Sequence, residues 1–183
     1  MVRPDNDNPN LNFEIIQLPV SDWRKYKSLR LEALKTDQQA FAKTYDDEAT
    51  YPDEKWIERI ERTKSGDAWM YFAKDTDTDE LVGMIGGYRD EENRAKHSAQ
   101  IWGVYVHPSR RGKGLSSLLM SRILTEFEKN EDIAKAVLEV NVDQPSAMKL
   151  YEKFGFSVIN RFTCTLGDGK KHEVCIMEKE LKR

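Results

Sequence analysis

The segment that most constrains this chain is Val104-Tyr105-Val106-His107-Pro108-Ser109-Arg110-Arg111-Gly112-Lys113-Gly114-Leu115-Ser116-Ser117. An apolar, β-prone run stops at a proline and passes through a basic, glycine-bearing turn. A helical repeat then opens, with Leu115, Leu118, Leu119, Ile123 and Phe127 on one face. A strand feeding a glycine turn and a helix N-terminus forms a cradle for an anion. The first helical N–H groups have no internal acceptor, and the macrodipole favours negative charge beside them. Gly112 and Gly114 remove the side chains that would hold a phosphate away from the backbone.

The remaining elements follow from periodicity and punctuation. Residues 1–11 are rich in Asp, Asn and Pro and read as a flexible tail, leaving 12–183 as a single domain. A strand is expected over Asn12–Leu18. Ser21 or Asp22 caps a helix that carries Trp23, Tyr26, Leu29, Leu31 and Leu34. A polar connection holding Phe41, Tyr45, Asp46, Asp47 and Glu48 leads to Pro52 and a second helix with Trp56, Ile57 and Ile60. Strands follow over Ala68–Lys74, Leu81–Tyr88 and Ala99–Val106. After the Leu115–Phe127 helix come a strand at Ala134–Asn141 and a helix opened by Pro145 and ended by Gly155. Strands at Phe156–Thr165 and Glu173–Leu181 close the chain around Gly167-Asp168-Gly169. The order predicts a mixed sheet with helices on its faces, of α/β (α+β) type.

Charge narrows the function. The net charge is −3 and charged residues make up 33% of the chain, without the basic excess of a dedicated nucleic-acid binder. No apolar run is long enough to span a membrane and no signal-peptide pattern opens the chain, so no membrane partner and a cytoplasmic location are expected. Cys164 and Cys175 both fall in the C-terminal strands. They face each other across a hairpin or, as a reducing compartment favours, remain free thiols. His97, His107 and His172 lack metal-ligand spacing, so no metal is expected.

The glycine turn is not a Walker A loop, since Gly114 rather than Ser or Thr follows Lys113, and Gly112-x-Gly114-x-x-Ser117 lacks the third glycine of a dinucleotide fingerprint. Taken alone it is equally an ordinary turn with solvated Arg110, Arg111 and Lys113. A second cluster changes this: Asn141, then Ala147, Leu150-Tyr151 and Phe154-Gly155-Phe156. The two segments together resemble the GNAT N-acetyltransferase superfamily. Its phosphate-loop signature falls on Arg111, Gly114 and Ser116, with Ser116 standing where the family has Gly or Ala.

The resemblance implies a GNAT-like, largely antiparallel sheet of about seven strands with about four helices, splayed between its fourth and fifth strands. It implies acetyl-CoA as co-substrate, with the pyrophosphate on Arg111, Gly112, Lys113, Gly114, Leu115, Ser116 and Ser117. The pantetheine arm would lie beside Val104, Tyr105 and Val106 like an added strand, with Asn141 contacting its amide or supporting the splay. Direct transfer to a primary amine of a small molecule or peptide terminus is implied, with Tyr151 protonating the departing thiolate. Tyr151 also fits the apolar face beside Leu150 and Phe154, and both roles are compatible.

The general base does not follow from the resemblance. Many relatives carry a Glu in the fourth strand, where this chain reads Gln100-Ile101-Trp102-Gly103. Glu139, or His97 before the strand, acts through water or is a plain surface residue. Tyr45, Asp46, Asp47 and Glu48, with Trp102 as an apolar wall, line an amine pocket or form a solvated loop. A homodimer is compatible with the chain. The missing fourth-strand carboxylate also leaves open an acyl-CoA-binding regulatory module with little or no catalysis.

Overall fold

The computed structural model describes residues 12–89 and 97–181; the expected N-terminal tail lies outside them. The strands are β1 Phe13–Ile16, β2 Ala68–Asp75, β3 Leu81–Arg89, β4 Ser98–Val106, β5 Lys135–Asn141, β6 Ser157–Thr165 and β7 Lys171–Glu180. The α-helices are α1 Trp23–Thr36, α2 Tyr45–Ala49, α3 Asp53–Glu61, α4 Leu115–Glu128 and α5 Pro145–Lys153. The strands form one sheet in the order β1-β2-β3-β4-β5-β7-β6. Neighbours run antiparallel except β4 and β5, which run parallel.

Helices with apolar stripes cover the two faces of the sheet beside β1–β4, α4 on one and α1 with α3 on the other. On one face α4 buries Leu115, Leu119, Ile123 and Phe127 among Tyr71, Ile85, Ile101 and Leu138. Phe127 is fully buried and meets Trp69 edge to face, with ring centroids 5.1 Å apart. Truncating such a ring to alanine typically costs about 3–5 kcal/mol. On the other face α1 and α3 press Tyr26, Leu29, Trp56 and Ile60 against Met70, Phe72, Met84 and Tyr105.

The elements start and stop close to where the residue pattern puts them, with two differences. Asp22 sits at the N-cap of α1, yet its side chain makes no capping hydrogen bond. The polar connection before Pro52 contains the short helix α2, closed by a reciprocal Thr44–Asp47 capping box. Cys164 pairs in register with His172 and Cys175 with Arg161, so the two free cysteines do not face each other.

Two backbone irregularities open the sheet. The β3–β4 register jumps from Met84↔Tyr105 to Gly86↔Trp102, so Gly103 and Val104 together oppose Ile85 in a β-bulge. Gly103 takes a φ of +65° there. The parallel β4–β5 ladder runs only from Ser98↔Lys135 to Ile101↔Leu138, and the strands then diverge. Beyond Ile101, the β5-facing edge of β4 has no strand partner.

Candidate active site

A cleft of about 580 Å³ starts at this divergence and runs to the turn before α4. Val104, Tyr105 and Val106 form one wall, Gly112, Gly114, Leu115, Ser116 and Ser117 one end, and Ser146, Leu150 and Tyr151 of α5 the far wall. Gly112 and Gly114 have φ of +77° and +81°, and Gly114 is the N-cap of α4. This left-handed pair turns the backbone so that no N–H from Gly112 through Ser116 finds an acceptor among the described residues. An uninterrupted run of free donors at the positive end of a 14-residue helix favours negative charge beside it.

The basic side chains of the turn do not share one task. Arg111 donates from Nε to the Val106 carbonyl at 2.9 Å and pairs through Nη2 with Asp37 at the end of α1. Arg110 pairs with the buried carboxylate of Asp75 at 2.8 Å. Lys113 points its ammonium toward the Phe13 ring, 5.8 Å from its centroid, and only its backbone belongs to the donor run.

The stretch 37–43 between α1 and α2 roofs the cleft and is tied down from three directions. Arg111 holds Asp37. Asn141, at the end of β5 and 4% exposed, donates from Nδ2 to the Gln39 carbonyl at 3.1 Å and accepts from the Asp143 N–H through Oδ1. Gly167, in the β6–β7 turn, donates its N–H to the Phe41 carbonyl at 2.7 Å. A Cβ at Gly167 would lie 2.9 Å from the carbonyl oxygens of Gln38 and Lys43, so only glycine fits. His172 fastens the same turn: Nε2 lies 2.9 Å from Asp168 and Nδ1 lies 3.2 Å from Asp143. Hydrogen bonds to those two carboxylates hold the imidazole above its ordinary pKa.

A narrower gap lies where β4 and β5 part, between Ile101–Val104 and Leu138–Asn141. Tyr151 borders both this gap and the main cleft. Its ring is buried edge-on against Phe156, and its hydroxyl has no hydrogen-bond partner among the described residues. Burial pushes the phenol well above its ordinary value, so it keeps its proton at neutral pH. Glu139 borders the gap and is exposed. His97 lies at the opposite end of β4, bonded to the Asp132 carbonyl, and borders neither cleft. His107 contacts Ser109 and lies 3.7 Å from Glu32, also outside the gap.

The acidic stretch beside α1 is tied into the surrounding helices. Asp47 accepts the Thr44 N–H at 3.2 Å as part of the cap of α2. Glu48 is 1% exposed and shared between Arg30 of α1 and Arg59 of α3, at 3.0 and 2.9 Å. Burial alone would raise its carboxyl, but the two arginines outweigh it and hold the group below the usual carboxylate range. Trp102 does border the gap, as an apolar wall would.

Sequence reasoning missed Asp37, Gln39 and Ala40 as cleft residues, and Gly103 as the bulge. A glycine interrupting an apolar strand is a recognised bulge signal, so Gly103 was detectable. The roof carries no local signal, because its place is set by partners far along the chain.

A model of the acetyltransferase (GNAT) family matches residues 30–156. The L-2,4-diaminobutyric acid acetyltransferase of Vibrio cholerae is 36% identical over 76 residues, 40% of this chain and 40% of that protein. The chain aligns with about a quarter to two fifths of the length of the curated relatives it matches. Among solved structures, the Salmonella typhimurium putative acetyltransferase yncA, with its cofactor acetyl-CoA, superposes with a TM-score of 0.78 at 17% identity, covering 94% of this chain and 95% of that one. The V. cholerae spermidine N-acetyltransferase, in complex with CoA and spermine, has a TM-score of 0.73 at 20% identity, covering 94% and 97%.

Proposed function

The chain belongs to the GNAT acetyltransferase family, and from that premise we propose that it transfers an acetyl group from acetyl-CoA directly to a primary amine. The observation that carries this reading is a cleft with backbone donors at one end and the Tyr151 hydroxyl at the other, neither with a partner among the described residues. Such a cleft suits a ligand with a pyrophosphate at one end and a thioester at the other.

The donor run from Gly112 to Ser116, extended to Ser117, holds the pyrophosphate, and the small Ser116 side chain leaves room for it. The open edge of β4 at Val104–Val106 offers its backbone to the amide-bearing arm. The thioester supplies an activated acyl group; the protein supplies position, charge stabilisation and protons. Backbone N–H groups of β4 beside the Gly103 bulge polarise the acyl oxygen. Tyr151 delivers its proton to the departing sulfur, and its desolvated phenol holds that proton until negative charge develops beside it. Glu139 takes the amine proton through water. Asn141 acts by holding Gln39 over the cleft, since both ends of its amide are engaged within the protein.

A specific observation favours a second reading, an acyl-CoA-binding module with little turnover. The β4 residues that border the gap, Ile101, Trp102, Gly103 and Val104, include no carboxylate. Calorimetry with acetyl-CoA, followed by thiol detection of CoA release across polyamines, amino acids, aminoglycosides and peptides, separates the two. Binding with release supports the transferase, binding without release on any amine supports the module, and no binding overturns both.

A further inference from the structure

Trp102 borders two spaces. One is the gap between β4 and β5; the other is a cavity of about 450 Å³ on the α1–α3 side of the sheet. The second space is bordered by Arg30, Lys43, Glu48, Arg59 and Arg62, together with Trp102. Four cations therefore meet one carboxylate among the described residues, and that carboxylate is already taken. Glu48 accepts from Arg30 Nε and Nη2 at 3.2 and 3.0 Å, and from Arg59 Nη1 and Nη2 at 2.9 and 3.3 Å.

The positive excess is concrete. Arg30 is 5% exposed, and its Nη1 has no hydrogen-bond acceptor among the described residues. That nitrogen lies 3.9 Å from where a Cβ on Gly103 would stand, beside the bulge. The guanidinium packs on Phe41 and Trp102, 4.7 and 5.9 Å from the ring centroids. At the mouth, Lys43 and Arg62 are exposed and neither forms a salt bridge among the described residues. A space so lined repels a polycation and suits a group with negative charge. Guanidinium forks match the two oxygens of a carboxylate.

Resting on the acetyl-transfer reading, we infer that the acceptor is an amino acid or similar amine bearing a carboxylate. The carboxylate is held by the Arg59, Arg62 and Lys43 side of this cavity, and the amine passes Trp102 toward the β4–β5 gap. Arg62 and Lys43 are specificity residues in this arrangement. The Glu48 triad fixes the floor against which they work, and Arg30 supplies the uncancelled charge beside it.

The test uses the full chain and matched pairs of amines that differ only in the carboxylate: 2,4-diaminobutyrate against 1,3-diaminopropane, lysine against cadaverine, and leucine against 3-methylbutylamine. Acetyl-CoA binding is measured first by calorimetry, because its absence defeats the acetyl-transfer reading itself. Binding of each amine to the CoA-loaded protein is then measured, together with CoA release from acetyl-CoA. The carboxylate-bearing member of at least one pair is expected to bind about tenfold or more tightly than its partner. In the Lys43→Gln/Arg62→Gln double variant that preference should shrink about tenfold, with the thermal midpoint little moved because both side chains are exposed. Intact acetyl-CoA binding with equal or better binding of the decarboxylated amines, or with no carboxylate-bearing amine bound, overturns the inference while leaving the acetyl-CoA site standing.

Discussion

The rings of Tyr151 and Phe156 meet edge to face, with centroids 6.2 Å apart at an interplanar angle of 64°. This contact fixes the Tyr151 ring where α5 ends, so that it borders both the cleft and the gap, with no acceptor for its hydroxyl among the described residues.

Tyr151→Phe keeps that ring contact and removes only the proton. We expect kcat to fall by about 10² to 10⁴, the usual contribution of a positioned general acid, with the acetyl-CoA dissociation constant moving less than about threefold. Steady-state kinetics beside calorimetry check this, and an unchanged kcat would return Tyr151 to a packing role. Burial raises the Tyr151 pKa, so in the parent protein no loss of rate from its ionisation is expected below pH of about 10.

Ser116→Glu places a carboxylate in the first turn of α4, among the free N–H groups. Acidic residues suit a helix N-terminus, so the fold should tolerate the change. A phosphate would meet a like charge there, a juxtaposition that costs several kcal/mol, so acetyl-CoA affinity should drop about a hundredfold or more. Calorimetry paired with a thermal melt decides it; retained affinity would argue against the cradle.

Glu48→Gln leaves two arginines beside a neutral group in a nearly closed interior. Breaking a buried pair in this way typically costs about 3–5 kcal/mol, readable as a lower denaturant midpoint. Because the Glu48 pKa is depressed in the folded protein, its contribution is present above the unfolded value of about 4.3 and is lost as pH falls through the folded value. The parent protein should therefore show an acid-side loss of stability that the variant lacks.

The opposite sign applies to His172. Its folded pKa is raised by hydrogen bonds to Asp168 and Asp143, so its contribution is full below the unfolded value of about 6.5 and is lost as pH rises through the folded value. Thermal melts of the parent and of His172→Gln should differ most on the acid side of that window and converge at alkaline pH. Parallel curves across the range would remove the imidazolium from the account of the β6–β7 turn.

Much of this protein was legible from residue order. The apolar faces of α1 and α4, the punctuation at Pro108, Pro145 and Gly155, and the alternation in the strands each depend on near neighbours. Helix α2 also left a local trace, Thr44 three residues before Asp47, but only five residues follow the cap and their polarity reads as a loop. Glu48 could not be read this way. Its partners Arg30 and Arg59 lie 18 and 11 residues away, and only the packing of α1 against α3 brings them together. The roof is hidden for the same reason, since Asn141 reaches its Gln39 partner across 102 positions.

That roof has a consequence for engineering. The stretch 37–43 carries Asp37, Gln39 and Ala40 on the side of the main cleft and Lys43 on the side of the arginine-lined cavity. Its attachments come from Arg111, Asn141 and Gly167, residues scattered over three unrelated parts of the chain. A loop transplanted here from a relative would arrive without the anchors it evolved with. Changing what one space accepts would then loosen the other, so the transferable unit is the loop together with its three distant tethers.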